Sequence, residues 1–314
     1  MNKAMKIVVG YDGTQGADAV IEDLKQAGMP GNVHALVISI ADVLVPPSTP
    51  GYVAPPIPAS IEASFRRSQD DAARLIEKAR KMSENCAQTL RSEFPSWKVE
   101  AKAFADSPAW GLLNTSREWG ADLIVVGAHD MATPARLILG SVSQRVVTDA
   151  TCSVRVVHGA PIDPAAIRII VGVDGSEHAD RAIAEVASRK WPSGSVALVM
   201  TVIDHNLISA IANVSSPLRK WIADDDSVDH QWVMKLAEDA AARLRPSGLT
   251  VTTVTKEGNP KKLLLEQAET WKADCIFVGA RGLGGIKHAL IGSVSSAIAS
   301  RAQCTVEVVR QAGA

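Results

Sequence analysis

The apolar residues of the chain fall into short continuous runs, and alanine-rich stretches with polar positions separate these runs. The runs at 7–9 and 169–173 are dominated by valine and isoleucine. Continuous β-branched runs are typical of strands buried on both faces of a parallel sheet. Each run leads into an alanine-rich stretch, at 17–26 and 179–188, which predicts a helix. Each of two regions therefore begins with a strand followed by a helix.

The same alternation continues to the end of both regions. Further strands are predicted at 35–40, 98–103, 123–126 and 154–157, and in the second region at 196–203, 250–255, 275–278 and 306–309. Further helices are predicted at 61–93, after Pro108 and from Ser141, and at 227–245, after Pro260 and from Ser293. This alternation predicts an α/β fold with two doubly wound parallel sheets in tandem. Ligands of such sheets bind at the carboxyl ends of strands, where the strand order reverses.

The two regions are copies of one another. Residues 6–14 match 168–176 at an offset of 162 positions. Residues 121–128 match 273–280 at an offset of 152 positions. Matches in the same order at several places indicate a tandem repeat rather than chance similarity.

The change of offset locates an insertion. The first copy carries about ten more residues than the second, and the proline-rich segment 43–60 accounts for them. Proline removes backbone donors, so this segment is predicted to be an extended surface loop. We expect the domains to span 1–158, with the insertion, and 165–314.

Composition narrows the class of protein. Hydrophobic residues make up 46% of the chain and the formal net charge is −1, which gives no electrostatic case for binding nucleic acid. The sequence has no signal peptide and no apolar stretch of about 18 residues, so we expect no membrane span. The four cysteines form no C-x-x-C pair and indicate buried thiols in a reducing compartment. A cytoplasmic location is the expectation.

A glycine-rich loop in the second copy carries the candidate chemistry. Its spacing is Gly279-x-x-Gly282-x9-Gly292-Ser293. Gly279 ends a strand, where a small residue lets the backbone approach a ligand, and Gly282 permits a turn and leaves room above it. Gly292 and Ser293 open a helix, whose free N–H groups and dipole attract an anion. Ser293 is expected to donate a hydroxyl or to cap the helix.

With these residues the chain resembles a tandem universal stress protein over essentially its whole length. Three further features support the resemblance: a strand-end aspartate before Gly-Ser or Gly-Thr, the Ala-Asp-x-Ile-x-x-Gly run, and a closing Cys-x-Val strand. Ser153 and Thr305 stand where many relatives have proline. The resemblance implies Rossmann-like domains of the adenine nucleotide alpha hydrolase-like type. It also implies ATP as cofactor, with or without Mg²⁺.

The resemblance further implies which residues of the second copy would bind ATP. Asp174 would lie near the adenine, within the turn that includes Gly175 and Ser176, and the backbone of Val202 would contact the base. The remaining implied contacts are to the ribose and phosphates, from Gly279, Gly282, Gly292, Ser293 and Val294, with Arg281 and Lys287 screening phosphate charge.

The first copy has a degenerate version of the loop. Asp130 stands where the second copy has Gly282. A carboxylate beside a triphosphate costs roughly 1–4 kcal/mol for effective dielectrics of 80 down to 20. We therefore expect weak ATP binding or none in the first copy, whose equivalent positions are Asp12, Ile40, Gly127, Gly140 and Ser141.

Simpler explanations exist for several of these residues. Asp12 and Asp174 fit a role in capping the turn that follows each strand. The histidines and the acidic run have no metal-ligand spacing, so no metal site is predicted; they are expected at surface or loop positions, namely His129, His178, His205, His288 and 224–226.

The leading hypothesis is an ATP-binding regulatory or stress protein without strong catalytic activity. The sequence has no P-loop, no G-x-S-x-G elbow and no evident general base. The alternatives are an interaction module whose glycines only permit tight packing, and a slow ATP hydrolase. Relatives pair through the last strand, so the strands at 154–157 and 306–309 are expected to face each other in an internal pseudo-dimer. A homodimer of chains is compatible with the same pattern.

Overall fold

The computed structural model describes residues 3–43, 59–128, 139–158, 166–204, 226–283 and 291–311, with the side chains at 59–66 and 226–230 left aside. The first copy contains β1 (Met5–Gly10), α1 (Gln15–Gln26), β2 (Val33–Ala41), α2 (Ala59–Glu93), β3 (Lys98–Ala105), α3 (Pro108–Trp119), β4 (Leu123–Gly127), α4 (Ser141–Asp149) and β5 (Ser153–Val157). Each predicted element of this copy is present. Most of the predicted insertion, 44–58, lies outside the described residues.

The second copy repeats this order. It contains β6 (Arg168–Val173), α5 (Glu177–Ser188), β7 (Val196–Ile203), α6 (Asp226–Leu244), a 3₁₀ turn (Arg245–Ser247), β8 (Thr250–Glu257), α7 (Pro260–Thr270), β9 (Cys275–Gly279), α8 (Ser293–Arg301) and β10 (Thr305–Val309). The predicted fold class is confirmed in both copies.

All ten strands form one sheet, in the order β3-β2-β1-β4-β5-β10-β9-β6-β7-β8. Neighbouring strands are parallel except β5 and β10, which pair antiparallel at the centre. The predicted pairing of the last strands is therefore present. Within each copy the strand order reverses once, between β1 and β4 and between β6 and β9. These are the two switch points at which ligands of doubly wound sheets bind.

The two faces of the sheet are packed differently. On one face a single hydrophobic core joins the copies, because Val154 and Val156 of β5 pack with Val306 and Val308 of β10. On the other face each copy has its own core. A buried group of charged residues fills the region between those two cores. One face therefore joins the copies through apolar contacts and the other through polar ones.

The four cysteine thiols are free, and three of them are buried. Burial raises the pKa of Cys86 to about 12, of Cys152 to about 11 and of Cys304 to about 12. The fully buried Cys275 thiol has its pKa raised further. Because the thiolate is the reactive form, these groups should be inert near neutral pH.

We expect a thiol reagent such as Ellman's reagent to label the native protein slowly at pH 8. After denaturant is added, all four thiols should become exposed and react with the reagent in one rapid phase. Rapid labelling of any cysteine in the native protein would contradict this prediction.

Among the described residues, no helix is both long enough and apolar enough to cross a membrane.

Candidate functional site

The second copy has a cavity at the carboxyl ends of β6, β7 and β9, next to its switch point. Its volume is about 570 Å³, within the range of small-molecule sites. Its apolar wall includes Val173, Met200, Val202, Leu264 and Val278. Its polar rim comes from the strand-end turn, the glycine loop and the start of α8. An apolar slot with a polar rim suits a ligand that is flat at one end and charged at the other.

The strand-end turn is held by its own side chains. Asp174 Oδ1 accepts a hydrogen bond from the Ser176 amide at 3.0 Å, and Ser176 Oγ accepts one from the Ala179 amide at 3.1 Å. Between them, Gly175 has a φ of +82°, a left-handed conformation that favours glycine. Ser176 is thus the N-cap of α5. The simpler role proposed for Asp174, capping of this turn, is therefore present.

Asp174 also holds the glycine loop. Its Oδ2 accepts a hydrogen bond from the Leu283 amide at 3.2 Å. A Cβ added to Gly282 would lie only 2.4 Å from Asp174 Oδ2. Gly282 also lines the cavity, so the room that its missing side chain leaves is shared with the Asp174 carboxylate. A side chain at 282 would have to displace the end of the Asp174 side chain.

Gly279 is also explained by packing. A Cβ added there would lie 2.4 Å from the carbonyl carbon of His178, in the first turn of α5. The Gly279 carbonyl in turn accepts a hydrogen bond from Ser295 Oγ at 2.6 Å. The expected reason for this glycine, approach to a ligand, is therefore incomplete. Gly279 brings β9, α5 and α8 together at the cavity.

The start of α8 is open. The N-cap is Gly292, and no side chain caps the helix. The predicted alternative that Ser293 caps the helix is wrong, because Ser293 is the first helical residue and is exposed. The first-turn amides of a helix have no intrahelical partner, so they can donate to an anion. Gly292, Ser293 and Val294 all line the cavity.

Arg281 lines the cavity and lies beside His178. Its Nε donates to His178 Nε2 at 3.1 Å, and its carbonyl accepts from Ser176 Oγ at 3.2 Å. His178 was expected at a surface or loop position, but it lies in α5 and is half-buried. Its burial and then the charges of Arg281 and Arg181 lower its pKa. His129, His205 and His288 lie outside the described residues.

We expect His178 to make the fold less stable in acid. Its folded pKa lies below the ordinary value of 6.5, so the unfolded chain takes up the proton first as the pH falls. The contribution of His178 to the free energy of unfolding is therefore fully present above pH 6.5 and is lost as the pH falls below it. Urea midpoints at pH 7.5 and 5.5 should differ less in His178→Gln than in the wild type. An identical pH dependence in the two proteins would contradict this.

The first copy has the equivalent cavity at its own switch point. Its volume is about 390 Å³, smaller than that of the second copy. Asp12 Oδ1 accepts from the Thr14 amide at 3.0 Å, and Thr14 caps α1, as in the second copy. Gly140 is the N-cap of α4 and again no side chain caps the helix. The predicted equivalents all line this cavity, namely Asp12, Ile40, Gly127, Gly140 and Ser141.

Most predicted residues of the second copy also lie at its cavity. Those that line it are Asp174, Ser176, Val202, Gly279, Arg281, Gly282, Gly292, Ser293 and Val294. Gly175 does not line it. Lys287 and Asp130 lie outside the described residues. No group of three or more possible metal ligands occurs in the described part of the chain.

Two polar residues of this site were not predicted from the sequence. Asp204 lines the cavity at the end of β7, and Ser295 joins α8 to β9. Both had a signal in the repeat. Asp204 matches Asp42 at the offset of 162, and Ser295 matches Ser143, whose Oγ donates to the Gly127 carbonyl at 2.6 Å.

Fold and site together define a tandem doubly wound α/β protein with one cavity at each switch point. The sequence model of the Universal stress protein family matches residues 3–158 and 167–310. The chain therefore belongs to the universal stress protein family. The match covers both copies.

Known relatives share this tandem arrangement. Universal stress protein Rv2623 of Mycobacterium tuberculosis is 27% identical over 327 residues, covering 99% of this chain and 98% of the relative. A universal stress protein of Mycolicibacterium smegmatis is 27% identical, covering 97% of this chain and 96% of the relative. The crystal structure of a universal stress protein from Archaeoglobus fulgidus has a TM-score of 0.61 at 20% identity, covering 98% and 99% of the two chains. That structural match supports the fold.

Proposed function

We propose that this universal stress protein binds ATP, with or without Mg²⁺, in the cavity of its second copy. The main support is the open start of α8, which directs uncapped amides and the Ser293 hydroxyl into a cavity with an apolar slot. Amides at a helix start favour phosphate. The slot formed around Val202 and Leu264 suits a flat base.

The carboxylates of the site suit the nucleoside end of such a ligand. Asp174 and Asp204 both line the cavity, and ribose hydroxyls and the adenine amino group are donors that carboxylates accept. Arg281 supplies positive charge from the loop. Lys287 is proposed to add a second cation. The cavity thus offers both donors and acceptors to such a ligand.

The proposed role of ATP is regulatory. The cavity is bordered by the Asp174 turn, the glycine loop and the start of α8, so one ligand would order three segments together. A ligand shifts a conformational equilibrium by its preference for one state. Occupancy would thereby change the surface that these segments offer to partner proteins. A cytoplasmic location and a homodimer of chains stay predictions.

Ser293 tests this proposal without disturbing the fold. Ser293 is exposed and caps nothing, so Ser293→Ala should leave the melting temperature unchanged. A hydrogen bond to a charged group contributes about 1.5 kcal/mol or more, so ATP affinity should fall by about tenfold. Isothermal titration calorimetry measures the affinity. Ser141→Ala, its equivalent in the first copy, is the matched control and should leave affinity unchanged.

One observation favours the alternative of a non-nucleotide interaction module. A Cβ at Gly279 would meet the backbone of α5 and a Cβ at Gly282 would meet the Asp174 carboxylate, so the presence of these glycines alone does not demand a ligand. The alternatives differ in what the native protein carries. ATP bound to the purified protein in native mass spectrometry supports the proposal. Absence of ATP binding at millimolar concentration would support the interaction module instead.

We expect hydrolysis of ATP to be slow at most. The sequence has no P-loop and no G-x-S-x-G elbow. Phosphate release with Mg²⁺ should therefore match that of a Ser293→Ala control. Turnover that depends on Ser293 would support the slow hydrolase instead.

A further inference from the structure

A buried network of charges lies at the centre of the sheet, where the two copies meet. Arg155 of β5 lies directly opposite Glu307 of β10. These two positions are equivalent in the repeat, at the offset of 152. The pseudo-two-fold axis therefore passes through this pair. Their side chains are 2% and 0% exposed.

Each copy neutralises its own charge at the axis. In the first copy Arg155 forms two hydrogen bonds with Asp23 of α1, from Nε at 2.6 Å and from Nη2 at 2.9 Å. In the second copy Arg189, which follows α5, binds both Glu307 and Glu185. The first copy thus presents the Arg155 guanidinium to the axis, and the second copy presents the Glu307 carboxylate.

The bonds that cross the axis join these unlike groups. Arg155 Nη1 donates to Glu307 Oε2 at 3.0 Å. Thr305 Oγ1 of the second copy donates to Asp23 Oδ1 at 2.9 Å. Arg189 Nη1 donates to the Ala27 carbonyl at 3.1 Å. Each of these buried donors meets an acceptor of the other copy.

A pair of like copies loses these bonds. Two first copies would set Arg155 against Arg155 with no acceptor across the axis, and two second copies would set Glu307 against Glu307 with no donor across the axis. A buried polar group without its partner is strongly unfavourable. The β5 surface and the β10 surface are therefore complementary to each other and not to themselves.

Shape excludes self-pairing of the second copy as well. Ala27 and Gly28 of the first copy are equivalent to Arg189 and Lys190 of the second. The Lys190 amide donates to the Gly28 carbonyl at 2.9 Å, and a Cβ added to Gly28 would lie 3.1 Å from the Arg189 Cβ. Two second copies would set Lys190 where the first copy has Gly28, and its Cβ would crowd the Arg189 Cβ of the other copy.

We propose that this network is a pairing code, by which the β5 surface of a first copy accepts only the β10 surface of a second copy. Its partner is the second copy of the same chain or of another identical chain. Pairs of like copies are excluded. The code does not depend on what occupies the two cavities.

Two charge-reversal variants of the full chain test the code. Arg155→Glu places a third carboxylate at the axis beside Asp23 and Glu307. Glu307→Arg places a third guanidinium group there beside Arg155 and Arg189. Each variant alone should lose its internal pairing. In a 1:1 mixture, the unmutated first copy of the Glu307→Arg chain can pair with the unmutated second copy of the Arg155→Glu chain. Light scattering should then show a heterodimer of about twice the 33.2 kDa of one chain.

A surface pair is the matched control. Arg245 and Glu238 form an exposed ion pair within the second copy, at 2.7 Å. Arg245→Glu and Glu238→Arg chains should stay unassociated when they are mixed. A mixture of the axis variants that yields no heterodimer, although both variants keep their helical circular dichroism, overturns the proposal.

Co-refolding covers the case in which a variant does not fold alone. Both axis variants are then unfolded in denaturant, combined and diluted together, with wild type treated in parallel. The native interface is available only between unlike chains, so the folded product should be dimeric. The proposal is overturned if wild type refolds and the mixture yields no folded heterodimer.

Discussion

Replacement of Gly282 by aspartate is expected to weaken ATP binding by roughly 5- to 1000-fold. This substitution gives the second copy the residue that the first copy has at Asp130. Any side chain at 282 would meet Asp174, because a Cβ there lies 2.4 Å from Oδ2. The added carboxylate costs roughly 1–4 kcal/mol against the nearby negative charges, which is up to about a thousandfold in affinity. Titration calorimetry measures the loss.

The reverse substitution is made in the first copy. Asp130→Gly removes the carboxylate and should raise the affinity of that copy for ATP, which fluorescence of a labelled nucleotide can follow in a Gly282→Asp background. Gly31→Asp is the control, because Gly31 is exposed and a Cβ there approaches only Ser96 Oγ, at 3.8 Å. Unchanged affinity in Gly282→Asp would place ATP elsewhere or nowhere on this protein.

Removal of Arg155 is expected to destabilise the fold by about 3–5 kcal/mol. In Arg155→Met the carboxylates of Asp23 and Glu307 would stay buried without the guanidinium that binds both. Breaking one partner of a buried ion pair costs far more than the pair contributes, because the remaining charge is desolvated. Urea unfolding followed by circular dichroism measures the loss.

Two comparisons separate this effect from loss of packing. Arg243→Met removes an exposed pair with Asp180 and should cost at most about 1 kcal/mol. The triple variant Asp23→Asn, Arg155→Met and Glu307→Gln removes the unpaired charges and should recover most of the lost stability. Arg189 keeps Glu185 in that variant. If Arg155→Met and Arg243→Met behave alike, the network is not a charge-paired core.

Local sequence patterns were enough to predict the elements, the repeat and the edge of the sheet where the candidate site lies. Periodicity is a local property, so runs such as 169–173 and 275–278 identify strands wherever they pack. The repeat identified Asp174 and Gly279 as equivalents of Asp12 and Gly127. Because parallel strands bring their carboxyl ends to one edge, these residues were expected together. Both equivalents line matching cavities.

What these residues contact could not be predicted from the sequence and is seen only in the folded structure. Gly282 was expected to leave room for a ligand, but it shares that room with the carboxylate of Asp174, 108 positions away in the chain. Arg155 stood within an apparently ordinary apolar strand, yet it meets Asp23 across 132 positions and Glu307 across 152. Hydrophobic patterns specify which face of an element is buried. Which two buried polar groups meet depends on the packing of distant elements, and no local pattern encodes that.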